Sequence, residues 1–148
     1  MEFSVTNQAL RELVNEEVSR VADLAYSEEG VSLYDSIAIF DRDKDTIDRM
    51  IADASSVVYE RFRDYIVSPT SAASDSVNIS FYLPDMETSQ ASVATQELKR
   101  FLSYQVVALW LQERYATAYE KYATRATSAL EKAELALFTR KRVTRDAN

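Results

Sequence analysis

Cysteine and histidine are both missing from this chain of 148 residues. Without cysteine there is no disulfide, no thiol nucleophile and no thiolate metal site. Without histidine the commonest general base and the commonest transition-metal ligand go as well. Gly30 is the single glycine, and Pro69 and Pro84 are the only prolines. Loops that cradle phosphate need several glycines for the backbone to approach the anion, so P-loop and dinucleotide fingerprints are absent. No apolar run reaches the length of a membrane span. Met1-Glu2-Phe3-Ser4 lacks the basic-then-apolar pattern of a secretion signal. A cytoplasmic protein, or one assembled in a cytoplasm, is the expectation.

What the chain does hold is Ala, Leu, Glu, Arg and Gln with few breakers, which points to long helices. Its length suits one domain, residues 1–148, able to build a core without staples. The net charge of −7 is unevenly spread: residues 1–98 carry 19 acids and 7 bases, whereas residues 99–148 carry 5 acids and 10 bases. Such asymmetry can steer head-to-tail association between copies or with a partner. It is equally compatible with two solvated faces. The acidic balance argues against nucleic-acid binding by the protein as a whole.

Apolar residues at Leu10, Leu13, Val14, Val18, Val21, Leu24 and Ala25 predict a helix from about Thr6 to Glu29. Thr6 or Asn7 can cap its start, and Gly30 suits the left-handed position just past its end. Residues 31–40 are compatible with a short helix or a buried connector. Ile47, Met50, Ile51, Ala54, Val58, Phe62, Tyr65 and Ile66 predict a second helix from about Asp45 to Val67, finished before Pro69. Residues 68–92 read as a loop and strand excursion. Small polar residues run from Ser68 to Ser76, and then Val77, Ile79, Phe81 and Leu83 alternate with Asn78, Ser80 and Tyr82. A lone strand at about residues 77–83 needs a partner. That partner is either an inconspicuous strand of this chain or the same segment of a neighbouring copy; a non-strand extended arm is the alternative.

From Ser89 to Arg142 there is neither glycine nor proline, and a three-four apolar pattern continues throughout. A straight helix of fifty residues would span about 75 Å, whereas a compact globule of this size is roughly 40 Å across. Either this helix bends between Tyr115 and Thr124, or its far end packs on another molecule. The expected fold is mainly α, a helical bundle with a long C-terminal helix and one short β excursion.

Asp41-Arg42-Asp43-Lys44-Asp45 has carboxylates at the first, third and fifth positions of a calcium loop. Thr46 and Ala52 stand where that loop needs glycine and glutamate, so the acids read as a helix start instead. The pairs Glu16-Glu17 and Glu28-Glu29 diverge by about 100° on a helix and form no acid/base couple. A carboxylate enzyme would need a deep pocket gathering several acids. No spacing singles out such a group, so a non-enzymatic protein without catalytic residue, cofactor or metal is expected.

Trp110, Tyr115, Tyr119 and Tyr122 crowd one helix together with Tyr104. Trp and Tyr combine large contact area with a polar handle, which suits interfaces. More apolar and aromatic helical surface is present than a solitary globule is expected to hide, so other chains are expected to cover part of it. Trp110, Tyr115, Tyr119 and Tyr122 are therefore candidate subunit contacts, with Phe81 and Tyr82 on the strand. A lone copy that shields Trp110 and its neighbouring tyrosines, with the last helix folded back, would collapse the assembly reading. The basic tail at residues 139–148 adds Arg140, Lys141, Arg142 and Arg145, placed to favour a helix C-terminus, to dock on an acidic partner surface or, third, to contact nucleic-acid phosphates.

An early amphipathic helix and a middle loop or strand excursion precede an aromatic-rich helix, Leu98-Lys99-Arg100-Phe101 through Val107-Ala108-Leu109-Trp110-Leu111-Gln112-Glu113-Arg114-Tyr115. The close runs from Ala129-Leu130 to Leu137-Phe138-Thr139-Arg140-Lys141-Arg142. This arrangement resembles the head-tail connector or adaptor proteins at the neck of tailed bacteriophages, over roughly residues 45–142. The close is similar to the basic endings of phage structural proteins from gut bacteria. The resemblance implies a virion protein that forms a ring of identical subunits between portal and tail, around the DNA channel. Its partners would be other copies and the portal and tail components, with DNA only as the passing genome and no membrane. The alternative, from a different class, is a cytoplasmic helical adaptor or regulator that binds an acidic protein partner through Arg140 to Arg145.

Overall fold

The computed structural model describes residues 1–67, 75–84 and 86–139, so most of the Ser68–Ser76 loop and the basic tail from Arg140 onward lie outside the described residues. Four long helices and a two-stranded sheet share one core, in the order β1 (Glu2–Thr6), α1 (Asn7–Asp23), the single-turn α2 (Tyr34–Ile37), α3 (Lys44–Arg61), β2 (Ser76–Ser80), α4 (Thr88–Gln112) and α5 (Ala116–Leu137). The protein is a mainly α helical bundle with a long C-terminal helix and a small sheet.

Helix α1 starts where the Thr6 hydroxyl accepts the Ala9 N–H at 3.1 Å, a side-chain cap. Its buried stripe is Leu10, Val14, Val18 and Ala22, and Leu13 falls outside that stripe at 41% exposure. The helix stops six residues before the expected Glu29. Ser27 N–H turns to the Val31 carbonyl at 2.8 Å and Gly30 N–H to Ser27 at 2.9 Å, and Tyr26 bridges antiparallel to Ser32. Gly30 does sit left-handed, at φ +79°. It serves the tip of this hairpin turn, not the end of a helix. Ser27 helps divert the chain, because its hydroxyl accepts the Val31 N–H at 3.1 Å.

Helix α3 likewise ends early. A 3-10 turn at Arg63–Tyr65 follows, then Ile66 bridges to Phe81 and Val67 N–H reaches the Ser80 carbonyl at 2.9 Å. The residues expected to finish the helix thus border β2, where β-branched side chains suit extended backbone. Of the acids at its start, Asp45 lies in the first turn of α3, where it favours the helix dipole. Asp43 instead accepts the Phe40 N–H at 2.9 Å in the 3-10 turn before it and makes no side-chain cap on α3 itself.

The expected strand finds its partner within the chain. β1 and β2 are antiparallel, with Phe3 opposite Ile79 and Val5 opposite Val77. All four side chains point into the core. Ser4 and Ser80 tie the opposite face, the first to Asn78 at 2.6 Å and the second to the Glu2 carboxylate at 2.6 Å.

Helix α4 touches each of the other three long helices, and its buried residues, among them Leu98, Phe101, Leu102, Val106, Val107 and Leu111, fall around much of its circumference. A helix apolar on several sides belongs in the middle of a bundle. The long C-terminal segment does not run straight. It breaks at Glu113–Tyr115, a little before the expected bend, where Tyr115 adopts φ −154° and ψ 79°. α5 then folds back along α4. Ala126, Ala129, Ala133 and Ala136 supply the small buried face that allows the approach. No glycine or proline marks this turn, so tertiary burial of the two apolar faces is what selects it.

Candidate interaction surfaces

The aromatic residues expected at a subunit contact divide into two groups at opposite ends of α5, roughly 30 Å apart along a helix of that length. At the turn end, Trp110 is only 2% exposed. Its indole N–H donates to the Ile37 carbonyl at 2.7 Å, which docks α2. The Arg114 guanidinium covers its ring at 3.5 Å. Tyr122 is buried as well, and its hydroxyl donates to Glu17 at 2.9 Å. Tyr115 and Tyr119 are half-buried against the same core. These side chains hold helices of one chain together. The expectation that Trp110 and Tyr122 form contact surface between chains is corrected: a helix folded back on its neighbour provides the cover that a second chain was expected to bring.

Burial, and then the Glu17 carboxylate beside it, push the Tyr122 phenol up to about 12 from its ordinary value of 10.0. The folded chain therefore holds this proton more tightly than the unfolded chain. Its contribution to stability is complete below about pH 10 and fades as pH rises toward about 12. Tyr122→Phe should remove that part of the alkaline loss. Urea midpoints of the wild type are expected to fall more steeply than those of the variant between about pH 10 and pH 12. Parallel curves would mean that the phenol is not held in its neutral form.

At the far end of α5, Phe81 is buried too, edge-on to Phe62 with ring centroids 5.8 Å apart. It likewise is corrected from contact residue to core residue. Phe138 packs on Tyr65 at 4.8 Å. Tyr82, the next residue on the strand, is 69% exposed and remains free for contact. The four basic candidates Arg140, Lys141, Arg142 and Arg145 lie outside the described residues.

Two surfaces were missed in the sequence. One is the hairpin of residues 24–33, where Leu24, Tyr26 and Val31 are 81%, 58% and 63% exposed. Their backbone is fixed by the hydrogen bonds of the turn and by Leu33 N–H to the Ala25 carbonyl at 3.0 Å. Apolar side chains are thus displayed on an ordered loop, with Glu28 and Glu29 at its exposed tip. The available signal was Gly30, which marks a turn as readily as a helix end.

The other is a polar cavity of about 610 Å³ between α1, α4 and α5, lined by Arg20, Arg100, Arg125 and Lys132 among others. Glu17 and Glu97 line it too, but each is already engaged. Arg20 is shared between Glu16 at 2.7 Å and Glu17 at 3.3 Å, and Arg100 is 2.7 Å from Glu97. Arg125 lies over the Tyr122 and Tyr104 rings at 5.3 and 5.9 Å. Neither Arg125 nor Lys132 has a carboxylate partner among the described residues. The cavity is therefore locally cationic in a protein of net charge −7. Its four bases are scattered through a helical sequence that reads as an ordinary solvated face, so only the fold brings them together.

Among the described residues no group of three or more Asp or Glu side chains is placed to hold a metal ion. No helix among them is long and apolar enough to cross a membrane. Comparison with known proteins returns no match, whether with family models, with curated sequences or with solved structures.

Proposed function

We propose that this chain is a non-enzymatic structural subunit of a virion, a head-tail connector or adaptor that forms a ring between portal and tail. The observation that carries this reading is the hairpin of residues 24–33. Three large apolar side chains stand out on a hydrogen-bonded loop, where an isolated protein gains nothing from exposing them. The resemblance of residues 45–142 to phage neck proteins gives the assembly its place. The aromatic seam of α4 and α5, from which the sequence leads one to expect assembly, does not support it, since Trp110 and Tyr122 are spent within one chain; the hairpin takes its place as the ground.

Native mass measurement and electron microscopy test the reading, on the chain alone and mixed with any portal protein that a neighbouring gene encodes. Rings are expected in at least the second case. A chain that stays monomeric across micromolar concentrations and forms no ring on the portal overturns it. The cationic cavity favours a second reading, a cytoplasmic helical adaptor that holds an acidic protein partner. Portal and capsid genes adjoining this one would decide for the first.

A further inference from the structure

We propose that the cavity between α1, α4 and α5 receives the Glu28-Glu29 hairpin tip of a second copy, so that subunits join head to tail. This inference rests on the ring reading and supplies its contact. Arg125 and Lys132 are two cations without carboxylate partners among the described residues, in a cavity large enough, at about 610 Å³, for two carboxylate side chains. Glu28 and Glu29 are two neighbouring acids, exposed on the tip of an ordered turn. The acids already within the cavity do not oppose the docking. Glu17 is occupied by Arg20 and by the Tyr122 hydroxyl, and Glu97 by Arg100.

The excess of bases beyond residue 98 lies largely at residues 140–148, and residues 88–137 carry six bases against five acids, so the positive charge is local to the cavity. Two copies attract where the acidic tip of one meets the cavity of the other, and repel where tip meets tip. Nucleic acid is a poorer occupant. A surface that carries −7 overall repels an extended polyanion, whereas two carboxylates on a narrow loop enter the local positive field alone. Leu24, Tyr26 and Val31 flank the tip and would lose water as the loop seats, adding apolar burial to the ionic contact. Tip and cavity are different surfaces, so every bound copy leaves one of each unfilled. Contacts of that kind continue until a ring closes.

The test is a charge exchange. A tip variant carries Glu28→Lys with Glu29→Lys, and a cavity variant carries Arg125→Glu with Lys132→Glu. Each alone should lose ring formation, with association weakened about tenfold or more. An equimolar mixture should regain it, because each variant's tip then meets the other's cavity with opposite charge. Lys132→Glu alone, which leaves Arg125 on its tyrosine rings, serves as a second cavity variant, and circular dichroism checks that every variant is folded. Rings that form undiminished from both variants overturn this contact and leave the ring reading standing. Loss of assembly that the mixture does not restore overturns a second copy as the occupant and points to an acidic partner of another kind. Wild-type protein that forms no ring even on its portal overturns the ring reading and this contact together.

Discussion

Trp110→Ala should lower the free energy of unfolding by about 3–5 kcal/mol, the usual cost of deleting a large buried aromatic side chain. The indole fills the junction between α4 and the single-turn α2, and its N–H satisfies the Ile37 carbonyl. Truncation leaves a cavity and an unpaired buried acceptor, which itself costs about 1–3 kcal/mol. It also removes the surface on which the Arg114 guanidinium rests. Against a total stability of about 5–15 kcal/mol for a domain of this size, the variant should melt far below the wild type or populate unfolded chain at room temperature. Far-ultraviolet circular dichroism in urea is the suitable probe, because Trp110 is the only tryptophan. A loss below about 1 kcal/mol would place the indole at a surface and return the aromatic seam to the list of intermolecular contacts.

Phe3→Ala should be comparably costly, again about 3–5 kcal/mol. Phe3 is 1% exposed and lies opposite Ile79 across the sheet. β1 has only this residue and Val5 to anchor it, so half of its apolar hold disappears. The neighbouring substitution Ser4→Ala, on the open face, is the control and should stay within about 0.5 kcal/mol. If both changes prove mild in urea denaturation, β2 does not rely on the N-terminal strand, and pairing with a neighbouring copy regains its place.

The helices were readable because burial on one side leaves a period in the chain. Leu10, Val14, Val18 and Ala22 show it in α1, and Ile47, Ile51, Ala54 and Val58 in α3. Ends were harder, since Leu24 and Ile66 continue the apolar pattern while the backbone turns to other partners. β1 escaped notice because five residues with two inward side chains barely establish an alternation. The break at Glu113–Tyr115 could be argued from size but not placed, because nothing in the local residues forbids helix there. At the candidate sites the difficulty is chemical. A tryptophan or tyrosine needs a partner for its polar atom both in a core and at an interface, so composition cannot separate the two. Trp110 found the Ile37 carbonyl and Tyr122 found Glu17, both distant in sequence. The cationic cavity draws on three helices and has no sequence signature at all.

The two ways in which this chain closes on itself differ greatly in reach. α4 and α5 meet across a three-residue turn, whereas Ser4 and Asn78 are 74 positions apart. Loop-closure entropy favours the short connection, so when the complete chain refolds the helical hairpin is expected to form before the sheet. On the ribosome the first strand emerges long before its mate exists. Until the chain has grown past Ser80, Phe3 and Val5 travel as an unpaired apolar edge, the interval in which a nascent copy is most prone to stick to another.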